Sequence, residues 1–212
     1  AEALGALPEQ LVGRALGDFL ADTSRSEYED YLKRLSQQQQ DEGTLVLRRA
    51  DSGERLWRYS SRLSETRGYA IGHAVDITEQ AREAEALRAE NLRDALTQAY
   101  NRRFLPLFEA RLAERTWAVI NVDLDQFKLI NDTQGHDAGD QVLIAMTAYL
   151  QQQVREGDAV VRSGGDEFLL LLADADEGRV HGLLARLRAG MDQAPCRYST
   201  GHAVRQRGEP LN

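Results

Sequence analysis

The chain has 212 residues, enough for one large domain or two small ones that each bury a core. Its 42% hydrophobic and 28% charged residues, with only 4 prolines, exclude a disordered chain and fit a folded globular one. A formal net charge of -8 opposes attraction to a phosphate backbone, so nucleic acid is not an expected partner; a single cysteine, Cys196, excludes an internal disulfide and suits the reducing cytoplasm.

Residues 1 to about 40 alternate short helical pieces with polar punctuation, and Gln37 to Gln40 followed by Asp41, Glu42 and Gly43 reads as a solvated connection. Strand-like segments follow at 44–50, 56–63 and 68–75, with turn chemistry at Asp51, Ser52 and Gly53, so an antiparallel sheet is expected. At Asp76 the character changes: an acceptor side chain followed three residues later by Glu79 predicts a capping box and a helix from Ile77 to about Leu96. Along it Ala81, Ala84, Leu87, Asn91 and Ala95 form an approximate seam through which two such helices could pair, the alternative being a solvated helix without a partner.

Beyond the helix, patterning predicts helices at 102–115, 127–132, 138–155 and 177–191 and strands at 117–122, 159–162, 167–172 and 197–204, an α/β sandwich. The longest uncharged apolar run, 168–173, is far short of the roughly 20 residues that span a bilayer, so no transmembrane segment is expected in this chain. No secretory signal is seen at the N-terminus, and an anchor upstream in a longer protein stays open.

Asp123 and Asp125 end an apolar strand, where two carboxylates with waters and phosphate oxygens suffice for Mg²⁺; strand termination and helix capping is the competing reading. A second acidic pair, Asp166 and Glu167, follows Gly164 and Gly165 between two apolar β segments, which marks a hairpin tip. If the hairpin lies beside the Asp123 strand, the carboxylates converge and need a cation to neutralise them. Between the clusters, Gly135 and Gly139 frame a turn into a long helix whose N-terminus can receive an anion. There Asn131 and Asp140 can read a guanine edge or simply cap helices, and His136 reads as a buried, satisfied histidine.

Asp94, Ala95, Leu96 and Thr97 with Asn101, Arg102 and Arg103, the 123–140 run, and the 162–168 run together resemble the GGDEF diguanylate cyclase family, from about residue 92 onward. The resemblance implies Mg²⁺ (or Mn²⁺) held by Asp123, Asp166 and the Leu124 carbonyl, with Glu167 binding metal or aiding deprotonation. It places Asn131 and Asp140 at guanine, Phe127 and Lys128 near the triphosphate, and Gly164 and Gly165 where the nucleotide needs room. The implied reaction condenses two GTP into cyclic di-GMP and pyrophosphate in a homodimer whose subunits each hold one GTP. Arg155 and Asp158 resemble the family's product-inhibition site, so cyclic di-GMP is both product and expected inhibitor. A catalytically silent domain that binds cyclic di-GMP there is the alternative, as is a cyclase for another nucleotide pair.

Residues 13–20, the strand run and 72–78 resemble a PAS sensor domain that lacks its opening hairpin, with Trp57, Tyr59 and His73 either lining a pocket or packing the sheet. The expected organisation is a PAS-like domain at 1–76, a signalling helix at 77–96 and the GGDEF domain at 97–212, an α/β (α+β) chain with two domains. Departures from the family are Gln98 in place of its usual glycine, Ser163 in place of a bulkier residue, and an end at Asn212 before the family's final helix.

Overall fold

Side-chain alternation builds the first sheet. In a computed structural model that describes residues 8–49, 53–64 and 69–206, β1 (Gln40–Arg48), β2 (Glu54–Leu63) and β3 (Ala70–Asp76) pair antiparallel in the order β1-β2-β3. Contacts divide the chain into two units, Ala1–Leu87 and Arg88–Asn212. In the first, a short helix α1 (Pro8–Leu11) precedes α2 (Arg25–Gln38), whose Tyr31 and Leu35 pack with Leu20, Leu45, Leu47 and Tyr59 into one apolar cluster. Gly43 sits opposite Tyr59, and a Cβ there would lie 2.8 Å from the tyrosine oxygen, so the glycine makes room for the ring.

One expectation fails here. The 37–43 stretch is no solvated connection: Gln39 takes a left-handed φ of 62° that ends α2, and β1 starts at once. Asp41, its side chain only 7% exposed, accepts hydrogen bonds from Arg34 at 2.8 Å and from the Tyr59 hydroxyl at 2.6 Å. A carboxylate satisfied in this way can enter a strand that composition alone marks as polar loop. Arg34 holds the Asp41 carboxyl below the usual range, while burial and Asp41 push Tyr59 up to about 12. Asp51 and Ser52 of the predicted turn, Ala50 and Gly68 lie outside the described residues.

The next helix, α3 (Thr78–Asn91), follows Asp76, which accepts from the Thr78 amide (2.9 Å) and hydroxyl (2.6 Å). Glu79 faces Arg55 and Arg82 instead of closing a capping box. The helix also stops short of Leu96. Asn101 Nδ2 donates to the carbonyls of Asn91 (2.8 Å) and Arg93 (2.9 Å), and Asp94 accepts from the Thr97 amide (2.9 Å), so side chains replace the continuing helical bonds. Ala95 of the seam therefore lies in a turn, and Ala84 and Leu87 are exposed.

The second unit holds a five-stranded sheet in the order β4-β6-β7-β5-β8, made of β4 (Tyr100–Asn101), β5 (Trp117–Leu124), β6 (Ala159–Gly164), β7 (Glu167–Ala173) and β8 (Tyr198–Arg205). Only β4 and β6 are parallel; β5 pairs antiparallel with β7 and β8, and β6 with β7. Ile120, Val122, Phe168, Leu170 and Leu172 face a core shared with α6 (His136–Gln153) and α7 (Glu177–Ala189). Trp117, Val161 and Leu171, from the opposite face, pack with Phe108 of α4 (Leu105–Arg111) and Leu112. A fifth element, α5 (Phe127–Gln134), joins β5 to α6. The helix expected over 102–115 is thus a 3-10 turn plus α4, and the one over 177–191 ends at Ala189 before a 3-10 turn.

Gln98, standing where the family usually has glycine, takes a φ of 59°. A left-handed side-chain residue costs about 1 kcal/mol or more. Its amide bonds to the Asp94 carbonyl at 2.9 Å, so the turn holds it there. Gln98→Gly should therefore raise the stability of this unit by about 1 kcal/mol. Urea unfolding followed through Trp117 on a Trp57→Phe background measures it, and a lowered midpoint would show that the glutamine's own contacts outweigh the strain.

Candidate nucleotide and metal site

The β5–β7 register sets Asp123 directly opposite Glu167, and the Leu124 amide donates to the Asp166 carbonyl at 3.3 Å. Directly opposed residues on antiparallel strands hold their Cβ atoms about 5 Å apart. Three of the four acids in the two sequence clusters, Asp123, Asp166 and Glu167, thus meet at one end of the sheet, beside the turn that carries Gly164 and Gly165. Their oxygens are not all within 4.8 Å of one another. Among the described residues no cationic side chain pairs with Asp123 or Asp166, and Glu167 receives a 3.5 Å contact from the Ser163 hydroxyl. Opposed like charges are unfavourable, and an all-oxygen donor set of this kind suits a hard divalent cation.

The tip is rigidly held. Gly165 has a φ of 54°, which glycine adopts without cost, and the register shifts between Arg162 and Gly164. A Cβ on Gly164 or Gly165 would meet open space. Arg162 donates to the Gly165 carbonyl through Nε (2.9 Å) and Nη2 (2.7 Å), and through Nη1 to Asp94 at 3.0 Å. One partly buried guanidinium therefore ties the tip to the 94–97 turn. No motif reasoning singled out this role; Arg162 appeared only as the first residue of the 162–168 run.

After Leu124 the chain turns through Asp125 and Gln126. Asp125 accepts from the Ser199 hydroxyl at 2.8 Å, tying β5 to the start of β8. Gln126, with φ 59°, directs the chain into α5, whose Leu129 amide already bonds the Gln126 carbonyl at 2.9 Å and whose first two amides have no helical carbonyl ahead of them. Lys128 is exposed there, whereas the Phe127 ring is buried in the core. Leu124 is buried too and offers its backbone.

Gly135, at φ 87°, separates α5 from α6. Gly139 is not a turn residue but a buried position inside the first turns of α6. A Cβ there would lie 1.9 Å from Asn131 Oδ1 and 3.3 Å from the Phe127 ring. The glycine thus lets Asn131 lie flat against α6, one residue from the exposed Asp140. Neither Asn131 nor Asp140 caps a helix, since the N-caps are Gln126 and Gly135. His136 is exposed, not buried, because it opens α6 on the solvent side.

Arg155 and Asp158 lie elsewhere. The Asp158 side chain, 1% exposed, accepts from the amides of Arg155 and Ala173 (both 3.1 Å) and from the Arg179 guanidinium. Ala173 ends β7 six residues from Glu167, which puts this group about 20 Å from the hairpin tip by strand rise. Arg155, Arg179 and Arg186 line a cavity of about 490 Å³. Arg179 enters from α7, 21 residues beyond Asp158, and no local pattern announces it.

Burial pushes the Asp94 carboxyl up, but the Thr97 hydroxyl and amide and the Arg162 guanidinium outweigh it and hold the group below the usual carboxylate range. A carboxylate depressed in the folded state stabilises above its unfolded pKa of about 3.9, and the contribution disappears as pH falls through the folded value. Asp94→Asn should unfold at lower urea than the parent at neutral pH, with the gap narrowing on acidification. A gap independent of pH would remove the charge from this account.

A model of the GGDEF domain of diguanylate cyclases matches residues 91–206, which contain every site residue described above. The diguanylate cyclase DosC of Escherichia coli (strain K12) is 36% identical over 126 residues, and the diguanylate cyclase TpbB of Pseudomonas aeruginosa (strain UCBPP-PA14) is 41% identical over 120. These matches cover 57% and 52% of this chain, which spans 27% of the length of each relative. The coiled coil and GGDEF domain of DgcB from Caulobacter crescentus, solved with c-di-GMP, is similar at a TM-score of 0.55 and 27% identity, over 62% of this chain and 78% of that one. The family match takes in more than half of the sequence, and this chain belongs to the GGDEF diguanylate cyclase family.

Proposed function

We propose that this chain supplies the half-site of a cytoplasmic diguanylate cyclase that joins two GTP molecules into cyclic di-GMP and releases pyrophosphate. The observation that carries the reading is the opposition of Asp123 to Glu167 with Asp166 beside Leu124. Asp123, Asp166 and the Leu124 carbonyl hold Mg²⁺ or Mn²⁺, and the oxygen donor set fits those ions. A divalent cation held by these residues would offset charge on the phosphoryl oxygens and lower the pKa of a ribose 3′-hydroxyl. Glu167 ligates alongside them or receives the hydroxyl proton.

The other residues orient GTP. Asn131 and Asp140 hydrogen-bond the guanine edge, for which a carboxylate accepts two donors that adenine does not present together. Lys128 and the backbone at Phe127 receive the triphosphate at the start of α5. The open space beside Gly164 and Gly165 takes the nucleotide. Holding the reactants in line converts a bimolecular step into one within a complex, which is the main contribution a protein makes to phosphoryl transfer.

Each chain holds one GTP, so two chains complete the reaction as a homodimer. The first unit, with α2 against a three-stranded antiparallel sheet, is read as part of a PAS sensor. Its signal reaches the second unit along α3, which runs across the division between them. Among the described residues no helix is long and apolar enough to cross a membrane. The arginine-lined cavity is read as a cyclic di-GMP inhibition site in which Asp158 positions Arg155 and Arg179.

With Mg²⁺ and GTP, Asp166→Ala should lower pyrophosphate and cyclic di-GMP formation by at least about 10²-fold, the loss expected when several kcal/mol of charge stabilisation goes. Retained turnover would refute the metal assignment, and turnover of ATP in its place the base assignment. In the same assay, added cyclic di-GMP should slow the parent and not Arg179→Ala. Cyclic di-GMP binding without any turnover by the parent would favour the receptor reading.

Gly139→Ala must push Asn131 aside. The KM for GTP should rise about tenfold, the equivalent of one lost hydrogen bond, with kcat changed less. An unchanged KM would take Asn131 out of base recognition.

A further inference from the structure

A second cluster of metal-capable side chains lies away from the acids. Glu177 and His181 stand four residues apart on α7 and so share one face of the helix. His202 reaches the same place from β8, where it pairs with Ile120. Glu177 Oε2 is 3.9 Å from His181 Nε2 and 3.6 Å from His202 Nε2, and the three donor atoms all lie within 4.8 Å of one another. The imidazole centroids are 5.6 Å apart with the rings at 78°, edge to face. This is the one group of three such side chains among the described residues.

We propose that Glu177, His181 and His202 form a site for a divalent transition metal, Zn²⁺ in the first instance. Two imidazoles and a carboxylate are a donor set that Zn²⁺ accepts with a fourth position left to water. Mg²⁺ prefers oxygen alone, so this site and the Asp123 cluster select different ions. Tetrahedral bonds of 2.0–2.1 Å put donor atoms about 3.3 Å apart, a few tenths of an ångström closer than the 3.6 and 3.9 Å seen. Side chains of Glu177 and His181 that are 60% and 66% exposed can close that distance without disturbing the core. His202 is three residues along the β5 pairing from Ser199, which lies opposite Asp123, so the two sites are about 10 Å apart by strand rise.

The consequence is a cross-link. Among the described residues β8 pairs only with β5, and Ser199 at its start bonds Asp125 next to the acid cluster. A metal bridging α7 and β8 pins that edge from the other side. The site is independent of the cyclase reading, and its test does not use turnover.

Tag-free chain in excess MgCl₂, which occupies the oxygen-only site, is titrated calorimetrically with ZnCl₂. The parent should bind one Zn²⁺ and gain thermal stability. His181→Ala and His202→Ala should each weaken binding at least about tenfold, the smallest loss that even an outer partner of a metal ligand produces. His73→Ala should bind as the parent does. His202→Gln repeats that arm if the alanine variant unfolds. Parent-like binding in either the His181 or the His202 variant overturns the site, as does Zn²⁺ binding that disappears only in Asp123→Asn.

Discussion

The pairing of β5 with β7 governs the second unit. A shift of one residue would turn Ile120 and Val122 from the core to the opposite face and carry Asp123 away from Glu167 at the same time. Burial of Ile120, Val122, Phe168, Leu170 and Leu172, all fully buried, therefore fixes where the acids stand. Fully burying a large apolar side chain is worth about 1.5–3 kcal/mol, so several of them outweigh the repulsion of two opposed carboxylates. Arg162 then completes the arrangement by fastening the Gly165 carbonyl to Asp94.

The chain treats its carboxylates in two ways. Asp41, Asp94 and Asp158 are partly or wholly buried, and each is satisfied by an arginine together with a hydroxyl or amide. Such groups hold turns and strand ends. Asp123 and the half-exposed Asp166 stand at one end of the sheet and Asp140 is exposed on α6, and among the described residues none of the three pairs with a cationic side chain. That contrast, more than the acidity itself, separates the acids that serve the fold from those proposed to meet a ligand.

Much of the second unit was legible because its signals are local. The Gly-Gly turn between two apolar runs gave the hairpin, and the strand ending at Asp123 followed from hydrophobic patterning. Side chains that act across long sequence separations were not. Asp41 satisfied by Arg34 and Tyr59 turned an apparent polar loop into strand, and Asn101 reaching back to Asn91 ended α3 earlier than its composition implied. Arg179 beneath Asp158, Asn131 against Gly139, and His202 opposite Glu177 depend on elements meeting in space. The left-handed turn at Gln98 was missed because a side-chain residue there breaks the glycine rule.

The central claim is that the acids at the β5–β7 end form one cation site that works with bound nucleotide. Mn²⁺ titrated into isotopically labelled chain with a non-hydrolysable GTP analogue tests it through paramagnetic broadening of amide resonances. Asp123, Leu124, Asp166 and Glu167 should broaden first and together, ahead of the amides around Glu177 and His202. Broadening that begins elsewhere, or that reaches Asp123 without Asp166, would contradict it.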